Sequence, residues 1–232
     1  MVMGEQPSVS RVPRSKDEAM RFYDRISGSY DFLEGGFERS HADRLVAELG
    51  LVEGETVLEI GFGTGRSLRT LACHVGREGF TTGIDISIGM VREAERRLQR
   101  EKSTNPTSLL VGDGAALPYR EESFDAVLMS FCLELFDTPD IPRVLMETRR
   151  VLKPGGKLGV VSMSKEEGAF IMLSLYEWVH MTWPKYVDCR PIYLEKAMVG
   201  AGYEIARRGR EKIFRLPMER VVGIKRQAHE AL

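Results

Sequence analysis

The sequence predicts an α/β fold in which a mostly parallel sheet carries helices on both of its faces. From residue 56 onward, short apolar runs alternate with segments whose apolar residues recur at helical spacing. The runs lack a polar face, which is typical of parallel strands that are buried on both sides. The first run ends in the glycine-rich stretch GFGTG, at 61–65, which opens a helical segment. Such a connection favours a nucleotide-like ligand, because glycine lets the backbone approach it closely.

The chain length of 232 residues fits one domain. Residues 1–14 are rich in Gly, Pro and Ser, and we expect them to be disordered. Residues 15–232 are predicted to form a single domain with two additions. A helical cap occupies 15–50, and a Met- and aromatic-rich helical lid at 164–190 is inserted before the last two strands.

Apolar spacing and stop signals assign the elements in order. In the cap, helices are predicted at 17–26 and 40–49. The alternating region predicts strands at 56–60, 79–85, 108–111, 124–131 and 157–163, and helices at 64–75, 87–102 and 140–152, with Ser87 as an N-cap and KPGG at 153–156 as a turn. After the lid, a helix at 191–200 precedes strands at 203–210 and 220–225. Their short connection predicts a hairpin, and therefore an antiparallel edge.

Composition excludes several classes of protein. The net charge of −1 gives no basic field for nucleic acid, although arginines and lysines gather at 207–215. The three cysteines form no C-x-x-C pair, which favours neither a disulfide framework nor a zinc site, and we expect no metal. No apolar run reaches the roughly 18–20 residues that span a bilayer. We therefore expect a cytoplasmic protein with at most peripheral membrane contact.

The spacing within the glycine loop discriminates between two ligands. A dinucleotide loop has the pattern G-x-G-x-x-G, but here the glycines alternate and Arg66 takes the place of the third. Glu59, just before the loop, would repel a pyrophosphate and could instead hold an ammonium group. S-adenosylmethionine has an ammonium group and no phosphate. The loop therefore favours this cofactor over NAD.

Two acidic residues follow the next strands of the alternating region. Asp85 ends the strand at 79–85 and can accept hydrogen bonds from two ribose hydroxyls, as an acid does in dinucleotide folds too. Asp113 follows the strand at 108–111, where a carboxylate can accept a bond from the adenine amino group. Because the carboxyl ends of parallel strands share one edge of the sheet, we expect both acids to lie beside the glycine loop.

Five segments together resemble the class I S-adenosylmethionine-dependent methyltransferases. VLEIGFGTG, GIDIS, GDGAALP, FDAVLMSFCLE and LKPGG occur in the family's order and spacing, within 23–225. The resemblance implies a Rossmann-like, doubly wound, seven-stranded sheet whose last strand is antiparallel. It also implies a cofactor site: Glu59, Gly61, Phe62, Gly63 and Gly65 at the methionine moiety, Asp85 at the ribose, Ile86 and Met90 near the adenine, Asp113 and Gly114 at the base, with Ala115 and Ser130 completing the site.

The start of the domain resembles a narrower group. FYDRISGSYDFLEG is similar to the beginning of the quinone C-methyltransferases of ubiquinone and menaquinone synthesis. The resemblance implies that this segment closes over the cofactor, with Tyr23 and Tyr30 facing the sulfonium. Those enzymes carry an Arg-Asn pair after the fourth strand, whereas this chain has SFCLELFDTPD. The glycine loop is also similar to that of bacterial phospholipid N-methyltransferases, and an amine, thiol or metalloid acceptor fits the motifs equally.

The sequence predicts methyl transfer to a small-molecule or lipid-like acceptor by in-line displacement. Alignment of the reactants supplies much of the rate, and a general base is not always needed. The candidates for a catalytic side chain are Glu134, His41 and His180, while Asp137 is predicted to cap a helix. Two other classes stay open, an NAD-dependent oxidoreductase and a non-catalytic adenosylmethionine-binding module. The sequence leaves the acceptor, the attacking atom and the oligomeric state undetermined.

Overall fold

A computed structural model describes residues 9–12, 14–30, 36–101, 105–165, 189–213 and 216–226. The strands are β1 (Thr56–Ile60), β2 (Phe80–Asp85), β3 (Thr107–Val111), β4 (Phe124–Ser130), β5 (Leu152–Met163), β6 (Tyr203–Ile213) and β7 (Leu216–Lys225). The α-helices are α1 (Lys16–Ile26), α2 (Gly36–Leu49), α3 (Arg66–Val75), α4 (Ile88–Arg100), α5 (Ile141–Val151) and α6 (Leu194–Gly200). Single 3₁₀ turns follow α1 and β4, at Ser27–Ser29 and Leu133–Leu135.

The seven strands form one sheet in the order β3-β2-β1-β4-β5-β7-β6. Strands β1 to β5 pair in parallel, and β7 is antiparallel to both of its neighbours. The predicted doubly wound fold is therefore confirmed, including the antiparallel strand near one edge. The order reverses between β2-β1 and β4, which is where open α/β sheets bind their ligands.

Apolar side chains on the two faces of the sheet make two cores. One core joins β1, β4 and β5 to α5 and α6 through residues such as Val144, Leu145 and Met198. The other joins the opposite face to α2 and α3 through Leu45, Leu49 and Leu71. Burial on both faces explains why the central strands are apolar without alternation.

Four of the predicted helix starts lie within two residues of the observed ones, whereas α2 starts four residues earlier and α6 three residues later than predicted. Ser87 is the N-cap of α4, and its hydroxyl accepts a hydrogen bond from the Met90 N–H. Ser15 caps α1 in a capping box with Glu18, in which each side chain accepts a hydrogen bond from the other residue's backbone N–H. The predicted cap at Asp137 is wrong, because Asp140 is the N-cap residue of α5.

The turn predicted at KPGG is wrong in part. Strand β5 already begins at Leu152, which pairs with Phe124, and the pairing resumes at Lys157 opposite Ala126. The extra residues on β5 therefore form an irregularity within the strand, with Gly155 at φ +77°. The Pro-Gly-Gly run at 154–156 marks the position of the irregularity correctly but does not reveal that the strand continues through it.

Two predicted segments lie largely outside the described residues. Most of the predicted lid, including His180, falls between 165 and 189, and most of the expected disordered N-terminus falls before residue 9. Within the described ranges, no helix combines the length and apolarity needed to cross a membrane.

Candidate functional site

A cavity of about 410 Å³ opens at the carboxyl ends of β1, β2 and β4. Its volume lies within the range of small-molecule sites. The glycine loop and the segments after β2, β3 and β4 supply three sides, and the cap segment with α1 supplies the fourth. The cavity is thus built by the segments that the sequence motifs selected.

The glycine loop takes backbone conformations that other residues avoid. Gly61, Gly63 and Gly65 have φ of +70°, +54° and +79°. A Cβ on Gly61 would lie 2.2 Å from the Cys132 Sγ, and one on Gly65 would lie 2.8 Å from the Ala94 Cβ. Gly65 therefore permits the close packing of the loop against α4, and Gly61 leaves the cavity floor as bare backbone.

Glu59 places a carboxylate at the base of the loop. The residue is 1% exposed, at the carboxyl end of β1, and its side chain lines the cavity. The Ser67 hydroxyl, from the first turn of α3, donates a hydrogen bond to Glu59 Oε1. Glu59 therefore places a carboxylate that suits a cation at the base of the loop, while Arg66 and Arg69 also line the cavity.

Asp85 lies where a ribose could be bound. Its Oδ2 accepts a hydrogen bond from the Gly63 N–H (3.0 Å), and its Oδ1 accepts one from the Ser87 N–H (2.9 Å). Burial raises the pKa of Asp85 to about 6, against the lowering effect of these hydrogen bonds, and the nearby Asp24 carboxylate raises it further. The strand end thus holds a buried acid that is bonded directly to the backbone of the glycine loop.

Asp113 is held by a residue that sequence reasoning did not select. Its Oδ1 accepts a hydrogen bond from the Ala115 N–H (2.9 Å), and its Oδ2 lies 2.8 Å from the Lys16 Nζ. The Lys16 ammonium also lies 3.6 Å from the Asp140 carboxylate. Although burial opposes ionisation, these contacts lower the pKa of Asp113. The carboxylate is therefore charged and oriented at neutral pH.

The other end of α1 reaches the start of α4. Asp24 Oδ1 accepts hydrogen bonds from the Ser87 hydroxyl (2.6 Å) and from the Gly89 N–H (2.9 Å). An acid at a helix N-terminus is stabilised by the exposed N–H groups and by the helix dipole. A Cβ on Gly89 would lie 2.9 Å from the Asp24 Cα, so the two helices meet without room for a side chain at this position.

Three aromatic residues also line the cavity, and we call them together the aromatic wall: Tyr23, Tyr30 and Phe131. Tyr23 and Tyr30 line the cavity with their rings edge to face at 6.3 Å. Phe131, directly after β4, also lines it and has φ +49°, a conformation that is rare outside glycine. Burial raises the pKa of the adjacent Cys132 thiol well above its ordinary value, so this group is neutral at physiological pH.

A short segment near the N-terminus covers the loop after β4. Arg11 makes a two-pronged ion pair with Asp137, with contacts of 2.6–2.9 Å, and the Val12 N–H donates to the same carboxylate (3.0 Å). The buried Arg190 guanidinium donates to the Ser10 carbonyl (2.6 Å) and to the Phe136 carbonyl (2.5 Å). Three distant parts of the chain therefore meet at the rim of the cavity.

Most of the predicted cofactor residues lie along this cavity. Twelve of them line it: Tyr23, Tyr30, Glu59, Gly61, Phe62, Gly63, Asp85, Ile86, Met90, Asp113, Gly114 and Ser130. Gly65 and Ala115 do not, since Gly65 packs against α4 and Ala115 is in the apolar core. The Phe62 ring also packs inward, because a Cβ on Gly83 would lie only 2.4 Å from it.

The two described catalytic candidates do not line the cavity. Glu134 is fully buried, and its carboxylate accepts a long hydrogen bond (3.4 Å) from the Met163 N–H on β5. His41 lies against Arg220 and Glu211, with Nδ1 3.3 Å from the guanidinium, and burial lowers its pKa. Neither side chain is placed to meet a ligand in the cavity.

No metal site is evident in the part of the chain that the structure describes. No group of three or more His, Cys, Asp or Glu side chains is arranged there to hold an ion. Among the acidic residues that line the cavity, Asp85, Glu59 and Asp113 are engaged by N–H, hydroxyl and ammonium donors, respectively.

Comparison with known proteins agrees with the geometry. A family model described as a methyltransferase domain matches residues 57–156. A demethylmenaquinone methyltransferase of Thermotoga maritima is 33% identical over 181 residues, which are 75% of this chain and 74% of the relative. The chain belongs to the S-adenosylmethionine-dependent methyltransferases. A second demethylmenaquinone methyltransferase, of Symbiobacterium thermophilum, is 29% identical over 215 residues, covering 85% of this methyltransferase and 83% of the relative.

A solved structure shows the same fold at lower identity. The magnesium protoporphyrin IX methyltransferase of Synechocystis PCC 6803, crystallised with bound S-adenosylhomocysteine, superposes with a TM-score of 0.73. The two sequences are 18% identical, and the match covers 92% of this methyltransferase and 100% of that chain. At this identity the likeness concerns the fold alone.

Proposed function

We propose that this methyltransferase moves the sulfonium methyl of S-adenosylmethionine to a small, apolar, quinone-like acceptor. The observation that carries the proposal is the arrangement of three of the carboxylates that line one cavity. Glu59, Asp85 and Asp113 line it in succession, from the glycine loop to the segment after β3. Each matches one polar group of the cofactor: the ammonium, the ribose hydroxyls and the adenine amino group.

The residues of the cavity fit this cofactor chemically. Glu59 supplies a negative charge for the ammonium, directly or through water, and Asp85 supplies acceptors for two hydroxyls. Asp113 keeps lone pairs for an amino donor, because a carboxylate can accept about four bonds and the contacts with Ala115 and Lys16 use two. Phe136 lies against Gly114, where an apolar surface suits the face of the base.

Bound adenosylmethionine would supply an electrophilic methyl group for an in-line displacement. The protein's part is to align the acceptor and to exclude water. Tyr23, Tyr30 and Phe131 form an aromatic wall beside the glycine loop, where the acceptor would approach. The nearby thiol of Cys132 is held neutral by burial, so its role would be one of shape.

Two observations support a quinone-like acceptor: the aromatic residues that line the cavity and the names of the relatives. Both relatives described above are named demethylmenaquinone methyltransferases, and their acceptor is a quinone by that name. An aromatic wall favours a flat apolar ring. Phospholipid or small-amine methylation is the second candidate, because an amine needs no general base and Glu134 and His41 both lie away from the cavity.

A panel of acceptors tests the proposal. The purified protein is incubated with adenosylmethionine and, separately, with a chemically reduced demethylated naphthoquinone, phosphatidylethanolamine vesicles, or no acceptor. We expect S-adenosylhomocysteine and a methylated quinol, detected by mass spectrometry, in the first reaction alone. Product only with the phospholipid would replace the acceptor class. Binding of adenosylmethionine without turnover of any acceptor would favour a non-catalytic binding module.

A further inference from the structure

We propose that α1 is a positioning element for the adenosine part of the cofactor, acting at both ends of that site. Lys16, its first residue, orients the Asp113 carboxylate. Asp24, in its last turn, positions the backbone next to Asp85 through its hydrogen bond with Ser87. The inference rests on the proposed function, which assigns Asp85 to the ribose and Asp113 to the adenine.

The first contact is between α1 and the segment after β3. Lys16 Nζ lies 2.8 Å from Asp113 Oδ2, and both residues line the cavity. The Ser15–Glu18 capping box fixes the start of the helix, and the pair of Arg11 with Asp137 fixes the chain before it. The ammonium is therefore held over the carboxylate by ordered backbone on both sides. With Oδ1 held by the Ala115 N–H, the plane of the Asp113 carboxylate is fixed.

The second contact joins α1 to the start of α4. Ser87 uses its two donors on two acids: its N–H bonds to Asp85 Oδ1, and its hydroxyl bonds to Asp24 Oδ1. Asp24 also accepts a bond from the Gly89 N–H. Loss of the Asp24 carboxylate would remove the acceptor of both the Ser87 hydroxyl and the Gly89 N–H, while the Ser87 oxygen would still accept the bond from the Met90 N–H. The backbone that aims Asp85 would then be less constrained.

The two contacts lie on one rigid element. Asp24 lies eight positions after Lys16, about 12 Å along a helix at 1.5 Å per residue. A single helix thus fixes both Asp113, assigned to the adenine, and Asp85, assigned to the ribose. Its docking favours the arrangement of these carboxylates that binds the cofactor. Cofactor affinity should consequently depend on side chains of α1 that act through Asp113 and through Ser87.

A closely matched ion pair at the opposite edge of the sheet provides the control. Lys153 Nζ lies 2.8 Å from Asp125, whose Oδ2 also accepts a bond from the Thr56 N–H. The side-chain exposures are 43% and 26%, compared with 47% and 32% for Lys16 and Asp113. Lys153 does not line the cavity. The Lys153→Met variant therefore reports the effect of losing a similar pair away from the site.

The test is calorimetric titration of the full chain with S-adenosylhomocysteine. We expect Lys16→Met and Asp24→Ala each to weaken binding roughly three- to tenfold, and Lys153→Met to change it less than about twofold. Lys16→Arg and Asp24→Asn, which keep the charge and the acceptor respectively, should restore most of the affinity. In steady state, Lys16→Met should raise the KM for adenosylmethionine and leave kcat within about twofold.

The outcomes separate the inference from the function on which it rests. Wild-type binding with unchanged affinity in Lys16→Met and Asp24→Ala would overturn the inference alone. Equal losses in Lys16→Met and Lys153→Met would also overturn it, because a general loss of stability would then explain the effect. A wild-type protein that binds no S-adenosylhomocysteine would overturn the proposed function and the inference together.

Discussion

The carboxyl edge of the sheet, where the parallel strands end, and the amino edge, where they begin, have similar local features with different roles. Each edge has a Lys–Asp pair at 2.8 Å, a glycine with strongly positive φ, and one non-glycine residue with positive φ. At the carboxyl edge these features converge on the cavity, and Gly61 and Gly65 have no room for a Cβ. At the amino edge, a Cβ added to the matching Gly155 would have nothing within 4 Å. These local features indicate a binding site only where the glycines are closely packed and several of the features line the same cavity.

The largest expected effect comes from Gly61→Ala. The new Cβ would meet the Cys132 Sγ at 2.2 Å while φ stays at +70°, so the loop must shift. We expect loss of detectable S-adenosylhomocysteine binding and a drop of about 2–4 kcal/mol in the free energy of unfolding. Calorimetry and urea denaturation measure the two effects.

Gly155→Ala is the matched change at the amino edge. It has the same conformational cost, at φ +77°, without the collision, so about 1 kcal/mol of stability should be lost and binding kept. Adding Cys132→Gly to Gly61→Ala should recover part of the lost stability. Equal destabilisation by the two alanines would show that crowding does not distinguish the edges.

A pH titration should reveal the buried acid of the carboxyl edge. Asp85 has a pKa of about 6, and the Asp24 carboxylate and the Cys132 thiol are ionisable groups that interact with it. Because protonation removes the acceptor charge that the ribose would use, the affinity for S-adenosylhomocysteine should fall up to about tenfold per pH unit below pH 6. Binding there should release a proton, detectable by calorimetry in buffers of different ionisation enthalpy.

Protonation of Asp85 should have opposite effects on the two properties, because it weakens cofactor binding but stabilises the folded protein. Its pKa in the folded protein lies above the unfolded value, so its ionised form disfavours folding at neutral pH. As pH falls from 7 to 5, the contribution of Asp85 to the free energy of unfolding should rise by about 1 kcal/mol. Asp85→Asn should bind weakly and without this pH dependence. An unchanged pH profile in that variant would show that Asp85 is not the group responsible for the pH dependence.

Changes of opposite sign are expected at the two non-glycine residues with positive φ among the described ones. Phe131 (φ +49°) lies at the carboxyl edge and Glu122 (φ +53°) at the amino edge. Phe131→Gly relieves strain but loses a buried ring, so we expect a net loss of about 1–2 kcal/mol. Glu122→Gly should raise stability by about 0.5–1 kcal/mol, because its weak pair with Lys225 is largely exposed on the glutamate side. Thermal unfolding measures both; the same sign for both changes would contradict the comparison.

Sequence reasoning succeeded where local pattern determines structure. Strand β1 was predicted with its bounds, and β2 and α4 to within a few residues, because burial period, glycines and the Ser87 cap are all local signals. The positions of Glu59, Asp85 and Asp113 at one edge also followed, since parallel strands bring their carboxyl ends together.

The parts that escaped prediction depend on contacts between distant residues. Lys16 meets Asp113 across 97 positions, and Asp24 meets Ser87 across 63. Nothing in a short window indicates such pairs. The direction of a side chain in a short turn is equally hidden: in the 3₁₀ turn after β4, Leu135 lines the cavity and Glu134 points away from it, since successive residues differ by about 120°.

The most direct measurement is a pair of titrations of the wild-type protein, one with S-adenosylhomocysteine and one with NADH. The central claim is that the three carboxylates suit a cofactor with an ammonium group and without a pyrophosphate. We expect saturable binding of S-adenosylhomocysteine, with proton release below pH 6, and no binding of NADH at the same concentrations. Tighter binding of NADH, or binding of S-adenosylhomocysteine that Glu59→Gln and Asp85→Asn leave unchanged, would contradict the claim.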